Sequence, residues 1–336
     1  MRHETTNGVS LLRACTAVPH VSRDAWRASS RAVQWLIASR APVLVMTFSS
    51  AAVGGALALL RGPIDAIAWL WCLVGLLLAH ATNNQLNDLI DSMLGIDRGN
   101  YFRKRYGAHV LEDGLLSRGL LLASIGITGG FALGIGVWLS TRIGAVVLWP
   151  LCAGAFFLIF YTYPLKRLGL GEVAVLLVWG PLMTGGSYLA ATGTWSGWAA
   201  SIGVVQALAP AAVIFGKHID KLALDAEKRV RTLPVRLGVR RARYAAIAII
   251  AAPYLCVPVL AAFDRLPPTT LLVLFALPNA VRAIRVHLAG PPEACPANYP
   301  ADVWPLWYSA YAFAYARNFG LLFLTGLLTA RICSAT

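Results

Sequence analysis

Charge is what this chain has least of: Asp, Glu, Lys and Arg make up 13% of 336 residues, against 58% hydrophobic. So little charge cannot clothe an ordinary soluble protein of this length. Acid is scarcer still, 15 Asp and Glu facing 29 Lys and Arg, for a net charge of +14. The basic residues lie in short segments between apolar runs, where they orient helices and meet anionic headgroups, which sets nucleic acid aside as a partner. Paired cysteines are lacking too. Cys15, Cys72, Cys152, Cys256, Cys295 and Cys333 form no CxxC pair and several sit within apolar runs, so they read as free or buried thiols with no metal or disulfide framework.

Long apolar runs are what the chain has instead. Nine of roughly 20 residues, the length that crosses a bilayer core, centre on residues 35–60, 66–86, 118–140, 143–161, 171–192, 197–216, 243–263, 269–288 and 305–330. Arg40-Ala-Pro42 interrupts the first and Pro278 the eighth. Gly129, Gly130, Gly134, Gly136, Gly185 and Gly186 suit close helix packing in lipid. The chain is therefore expected to be all-α, a multi-pass membrane protein. Residues 1–30 are polar and Arg-rich, with an apolar piece around Leu11 too short for a signal-peptide core, and read as a loose cytoplasmic tail ahead of a transmembrane domain spanning 31–336.

Lys and Arg settle the expected orientation. Arg98, Arg103, Lys104, Arg105, Lys166, Arg167, Lys217, Lys221, Lys228, Arg229, Arg231 and Arg236 follow even-numbered spans, while the other side has little beyond Arg61, Arg142, Arg265 and Arg331. The positive-inside rule places the N-terminus and the long loops in the cytoplasm of a cell membrane.

The stretch from His80 to Asp97 closes the second span. At about 100° per helical residue, His80, Asn84, Asn87, Asp88 and Asp91 share one stripe. Carboxylates one turn apart repel and are costly at membrane depth, so something positive belongs between them. A divalent cation used with a diphosphate is one answer, because Mg2+ is held by one or two carboxylates plus substrate phosphates. A polar helix end with solvated acids is the other.

After the sixth span, His218, Lys221, Asp225 and Arg229 would share a helical face, with Asp220 about 140° away from Asp225. Ionisable groups at membrane depth point to a site by default; a salt-bridged juxtamembrane helix would look the same. After the fourth span, Lys166 and Arg167 follow Tyr163-Pro164 and could bind phosphate, or serve only as topology signals.

With these segments in view, the chain resembles the UbiA superfamily of intramembrane prenyltransferases over nearly its whole transmembrane part. Asn87-Asp88-Leu89-Ile90-Asp91, continuing to Gly95 and Asp97, looks like that family's first aspartate motif, in a spacing more similar to its 1,4-dihydroxy-2-naphthoate branch. Tyr163-Pro164-Leu165-Lys166-Arg167 resembles its YPxxKR-type loop with one residue missing. Asp225 followed by Arg231-Thr232-Leu233-Pro234 resembles the second motif and its exit. Lys221, however, stands where the family usually has the first aspartate of that motif.

The resemblance implies helices around a central cavity opening to the cytoplasm, and Mg2+-dependent transfer of a prenyl group from a polyprenyl diphosphate to an aromatic acceptor in quinone biosynthesis. It implies that Asp88, Asp91 and Asp225 are catalytic and hold Mg2+ together with Asp97, that Asn84 and Asn87 orient the cluster, and that Lys166, Arg167, Lys221 and Arg229 receive the diphosphate. Lys221 either contacts the diphosphate or pairs with Asp225. His80 either touches the acceptor or is a satisfied buried histidine. Helices rich in Trp, Phe and Tyr would give a π-lined cavity, capped by the loop from Tyr101 to Ser117. A terpene cyclase acting without an acceptor uses similar aspartates, and a transporter or lipid-binding protein could use the same acidic pocket.

Overall fold

In lipid, unpaired backbone N–H and C=O groups are costly enough that apolar runs of this length fold as helices. The computed structural model describes residues 8–97, 102 and 106–333, and among these there is no strand. Three short helices come first, α1 (Leu11–Thr16), α2 (Arg23–Ala28) and α3 (Arg31–Ala38). The long elements are α4 (Val45–Leu59), α5 (Ala66–Met93), α6 (Arg118–Ile143), α7 (Leu148–Phe160), α8 (Gly171–Leu177) running on into α9 (Met183–Thr192), and α10 (Gly197–Asp220). Two short pieces, α11 (Leu222–Glu227) and α12 (Leu233–Leu237), precede α13 (Val239–Ala262), α14 (Leu277–Ala289) and α15 (Tyr308–Cys333).

Eight helical segments among the described residues are long and apolar enough to cross a membrane: Ala41–Leu59, Ala66–Met93, Arg118–Ile143, Ala145–Leu168, Gly171–Thr192, Gly197–Asp220, Val239–Ala262 and Pro268–Ala289. The protein is multi-pass. The ninth expected span corresponds to α15, whose Tyr315, Phe319 and Phe323 are fully buried and fill the main core with Leu57, Ile250 and Val273 from α4, α13 and the segment before α14. Backbones meet closely near this core: a Cβ on Gly203 would lie 2.7 Å from the carbonyl oxygen of Gly180.

The first crossing is shorter than expected. Arg40 has φ 55, left-handed backbone that ends α3 after Ser39, and the crossing restarts at Ala41-Pro42. Proline also shapes the fourth and fifth. Tyr163 is extended (φ −143, ψ 124), as a residue before proline prefers, and the turn Tyr161–Leu165 sends the chain back toward α5. Around Pro181, which has no N–H to donate, the fifth crossing widens over Val178–Leu182.

Two expectations are corrected. Residues 8–30 are not loose: Ala14 and Trp26 are buried with Leu89, Ala108 and Val110 in a second core, and the Ala108 amide donates to the Pro19 carbonyl at 3.0 Å. Of the glycines singled out for packing, Gly130, Gly134 and Gly186 have no atom within 4 Å of an added Cβ. Arg98, Tyr101, Arg103, Lys104 and Arg105, invoked for topology or for the loop cap, lie outside the described residues.

Candidate active site

Helix α5 runs 28 residues, about 42 Å at 1.5 Å per residue. It begins at Asp65, whose carboxylate caps the Ala68 amide, and its last turns carry the acidic stripe. Asp88 and Asp91 are both buried, so each needs a cation. Arg40 supplies the first, pairing closely with Asp88. The left-handed turn at Arg40 is what delivers that guanidinium, and Asn84 braces the turn by donating its amide to the Ser39 carbonyl at 2.9 Å. Lys166 supplies the second: its Nζ lies 2.6 and 2.9 Å from the two Asp91 oxygens. Asn87 links the two pairs. Its amide donates to Asp91 Oδ2 at 3.0 Å and to the Thr162 hydroxyl at 3.2 Å, and its carbonyl accepts from Arg40 Nη2 at 3.4 Å.

Beyond α5 the chain turns at Gly95 (φ 69), and the Ile96 amide donates back to the Asp91 carbonyl at 2.9 Å. This turn sets Asp97 against His109, Oδ2 to Nε2 2.9 Å, with Asp88 Oδ1 3.9 Å from the same nitrogen. Burial pushes the Asp97 carboxyl up, but the His109 hydrogen bond and the positive charges of His109, Lys221 and Lys166 outweigh it and hold Asp97 well below the usual carboxylate range. Lys228 donates to the carbonyls of Gly95 and Ile96, tying the end of α11 to the same turn.

Helix α10 ends at Asp220, so the helical face expected to run from His218 to Arg229 is interrupted. His218 Nδ1 lies 2.5 Å from Glu172 Oε1. Lys221 pairs with Asp225, Nζ to Oδ1 3.2 Å, and burial pulls its ammonium down less than Asp225, Asp91, Tyr106 and Asp97 hold it up, leaving it above its ordinary value. Asp220 points away, accepting from the Tyr308 amide at 2.8 Å and from the Ser309 amide and hydroxyl at 3.0 and 2.6 Å.

These groups surround one end of a cavity of about 400 Å³. Arg40, Asn84, Asn87, Asp91, Lys166 and Lys221 line its polar end, and Leu139, Leu151, Leu158 and Leu182 its apolar body. Gly75, Gly129, Gly136, Gly154 and Gly186 also line it; an added Cβ would come within 3.2 Å of a side chain at the first three and meet nothing within 4 Å at Gly154 and Gly186. The expected π lining is corrected: beside the histidines, Phe157, Tyr161 and Trp179 are the aromatic residues on the wall, which is mainly aliphatic. Many aromatics instead fill the core around Tyr315 and a cluster of Tyr299, Trp304, Trp307 and Tyr311. His80 lines the cavity with Nδ1 2.8 Å from the Thr47 hydroxyl and its ring edge-on to Trp179.

Of the other residues singled out, Asp225 is buried behind Lys221, and its Oδ2 has no hydrogen-bond partner. Arg167 and Arg229 lie outside the cavity lining. Arg167 sits over the Tyr163 ring, 5.8 Å from its centroid, and Arg229 is exposed in left-handed backbone (φ 57) beyond the end of α11. Three residues of the site escaped sequence reasoning. Arg40 had one signal, a lone charge inside an apolar run. His109 sits in a loop, where no periodicity could pair it with Asp97, and Glu172 meets His218 only through the fold.

The donors fit a divalent cation. Asp88, Asp97 and His109 offer ligand atoms within 4.8 Å of one another, and the unpartnered Asp225 Oδ2 is a buried hard oxygen without a counterpart.

Residues 47–309 match the model of the UbiA prenyltransferase family. Over 262 residues the chain is 28% identical to a 2-carboxy-1,4-naphthoquinone phytyltransferase of Synechocystis sp., covering 75% of this chain and 81% of that one. Over 308 residues it is 26% identical to a 1,4-dihydroxy-2-naphthoate octaprenyltransferase of Haemophilus influenzae, covering 88% and 95%. Its fold is similar to that of a UbiA homologue from Archaeoglobus fulgidus solved with GPP and Mg2+, at a TM-score of 0.55 and 12% identity, covering 89% of this chain and 99% of that one.

Removing one member of the buried Lys166–Asp91 pair leaves the other uncompensated. Lys166→Met is expected to lower stability by about 3–5 kcal/mol, and Lys166→Met combined with Asp91→Leu to recover most of it; thermal melts in detergent check this. A Cβ on Gly186 would enter open space, so Gly186→Leu is expected to leave the melt unchanged while weakening binding of long-chain relative to short-chain prenyl diphosphates.

Proposed function

The chain belongs to the UbiA prenyltransferase family and is a prenyl-transferring membrane enzyme, and on that premise we propose that it moves a polyprenyl group from its diphosphate to a 1,4-dihydroxy-2-naphthoate-like ring. The observation that carries this reading is the junction of a cluster of compensated carboxylates with an apolar cavity of about 400 Å³. A polyprenyl diphosphate has the same division, a dianionic head on a hydrocarbon tail. Relatives named for naphthoquinone and naphthoate substrates support the choice of ring.

Asp88, Asp91, Asp97 and Asp225 would hold Mg2+, which when bound neutralises charge developing on the departing diphosphate. Lys166 and Lys221 line the cavity, and a diphosphate offers them more anionic oxygens than the single carboxylate each now faces. Arg40 adds a forked donor from the opposite side of Asp88. Asn84 and Asn87 keep these groups in register through the Ser39 carbonyl and Asp91. Such charges, fixed before the reaction, favour the separation of diphosphate from an allylic carbon without reorganising.

The tail would lie along the aliphatic wall, which also keeps water from the allylic carbon. Trp179 and Phe157 offer π faces there, and the electron-rich ring attacks from within the same cavity. Lys166, Lys221 and Lys228 belong to segments that the positive-inside rule assigns to the cytoplasm. The site would therefore open there, in a cell-membrane protein whose N-terminus is cytoplasmic.

Membranes carrying the protein, Mg2+ and a labelled prenyl diphosphate are expected to form a prenylated naphthoquinone only when 1,4-dihydroxy-2-naphthoate is added, and Asp88→Asn to abolish it. A hydrocarbon or terpene alcohol formed without acceptor would identify a cyclase, and Mg2+-dependent diphosphate binding without turnover a binding protein. Lys221→Asp is expected to weaken diphosphate binding and to raise the Mg2+ concentration needed for half-maximal rate; if neither changes, Lys221 only pairs with Asp225.

A further inference from the structure

Joining an allylic carbon to a hydroxylated ring leaves a proton to be removed. The ring hydroxyl becomes a carbonyl as its carbon neighbour forms the new bond, and a base fixed beside the aliphatic body of the cavity can take the proton without water entering there. The candidates on the wall are Asp91, His80 and His218. Asp91 is engaged by both of its contacts to Lys166, and His80 presents Nδ1 to Thr47 and its ring to Trp179.

His218 differs from both. It lines the cavity, is 3% exposed, and its Nδ1 is 2.5 Å from a carboxylate oxygen of Glu172, itself 5% exposed and 46 residues earlier. Glu172 Oε2 is buried with no hydrogen-bond partner, so the carboxylate is directed at this imidazole alone among the described side chains. With Nδ1–H donated to Glu172, the tautomer is set and Nε2 carries the free lone pair. A carboxylate behind an imidazole also stabilises the imidazolium that forms when Nε2 takes a proton, as in the hydrolase triads.

We propose that His218, held by Glu172, is the general base that takes the hydroxyl proton of the aromatic acceptor; this rests on the prenyl-transfer reading above. In the step, the O–H pair becomes the new C=O π bond, a ring π pair forms the bond to the allylic carbon, and the C–O pair leaves with the diphosphate. The proton passes to Nε2 of His218, and Glu172 faces the resulting positive charge. Lys217 and Lys221, which flank His218 on the cavity wall, favour the hydroxyl in its ionised form as it approaches. His218 is the catalytic residue here and Glu172 the positioning one.

The experiment uses the full chain in lipid nanodiscs with Mg2+, geranylgeranyl diphosphate and 1,4-dihydroxy-2-naphthoate. His218→Gln is expected to lose about 10²–10⁴-fold in kcat for transfer, with the affinity for the prenyl diphosphate unchanged. Glu172→Gln is expected to lose less, with the same split, and added imidazole to restore part of the rate to His218→Ala. Full transfer by His218→Gln overturns the proposal. So does a parallel fall in diphosphate binding and melting temperature, which would mark the pair as a structural tie between α8 and α10. If the wild-type protein transfers to no dihydroxynaphthoate, the prenyl-transfer reading fails with this acceptor and the assignment of His218 falls with it; that outcome is told apart by the wild-type control alone.

Discussion

A carboxylate buried beside lipid is tolerable only with a counter-charge at hand, and around this need the polar end of the protein is arranged. Asp88 takes Arg40, Asp91 takes Lys166, Asp97 takes His109 and Asp225 takes Lys221. Three of the four partners come from a different segment than their carboxylate. The turn before α4, the loop after α7 and the loop before α6 are thereby fixed to the end of α5, and the resulting neutrality lets charged groups sit at the mouth of an apolar cavity. On the proposed reading, a substrate bearing its own negative charge would enter by exchange, taking over cations that already have partners.

How much of this could be seen in the chain depended on whether the information was local. The crossings were legible because apolar length is a property of a continuous segment, and boundaries failed mainly at Arg40, where a left-handed residue splits the first run. The stripe on α5 was legible because one helix carries it, and Asp220 was placed apart from Asp225 by the same periodicity. The segment after α10 was less so. Helical arithmetic put Arg229 on a shared face, but the helix stops at Asp220 and restarts, and Arg229 ends in solvent. Glu172 and His109 belong to contacts that no single segment contains.

Side-chain type misled in the cavity as well. Many aromatic residues suggested a π-lined chamber, yet Tyr315, Phe319 and Phe323 are spent on the core, and the chamber is walled mainly by aliphatic residues and glycine. Volume explains the division. Rings fill space between tightly packed helices, whereas a guest of substantial length needs walls from which side chains have been taken away. Of the glycines that looked like packing contacts, Gly186 lines this wall with nothing near an added Cβ, while Gly130 and Gly134 are exposed outside the cavity.

Asp220 and Lys221 stand side by side at the end of α10 with opposite duties, one holding the first amides of α15 and the other facing the cavity. Exchanging either alone would leave α15 without its anchor or set a fourth acid among Asp91, Asp97 and Asp225. Adjacent in sequence, the two side chains therefore serve different parts of the fold, and the single step from Asp220 to Lys221 carries the chain from a helix anchor to the wall of the cavity.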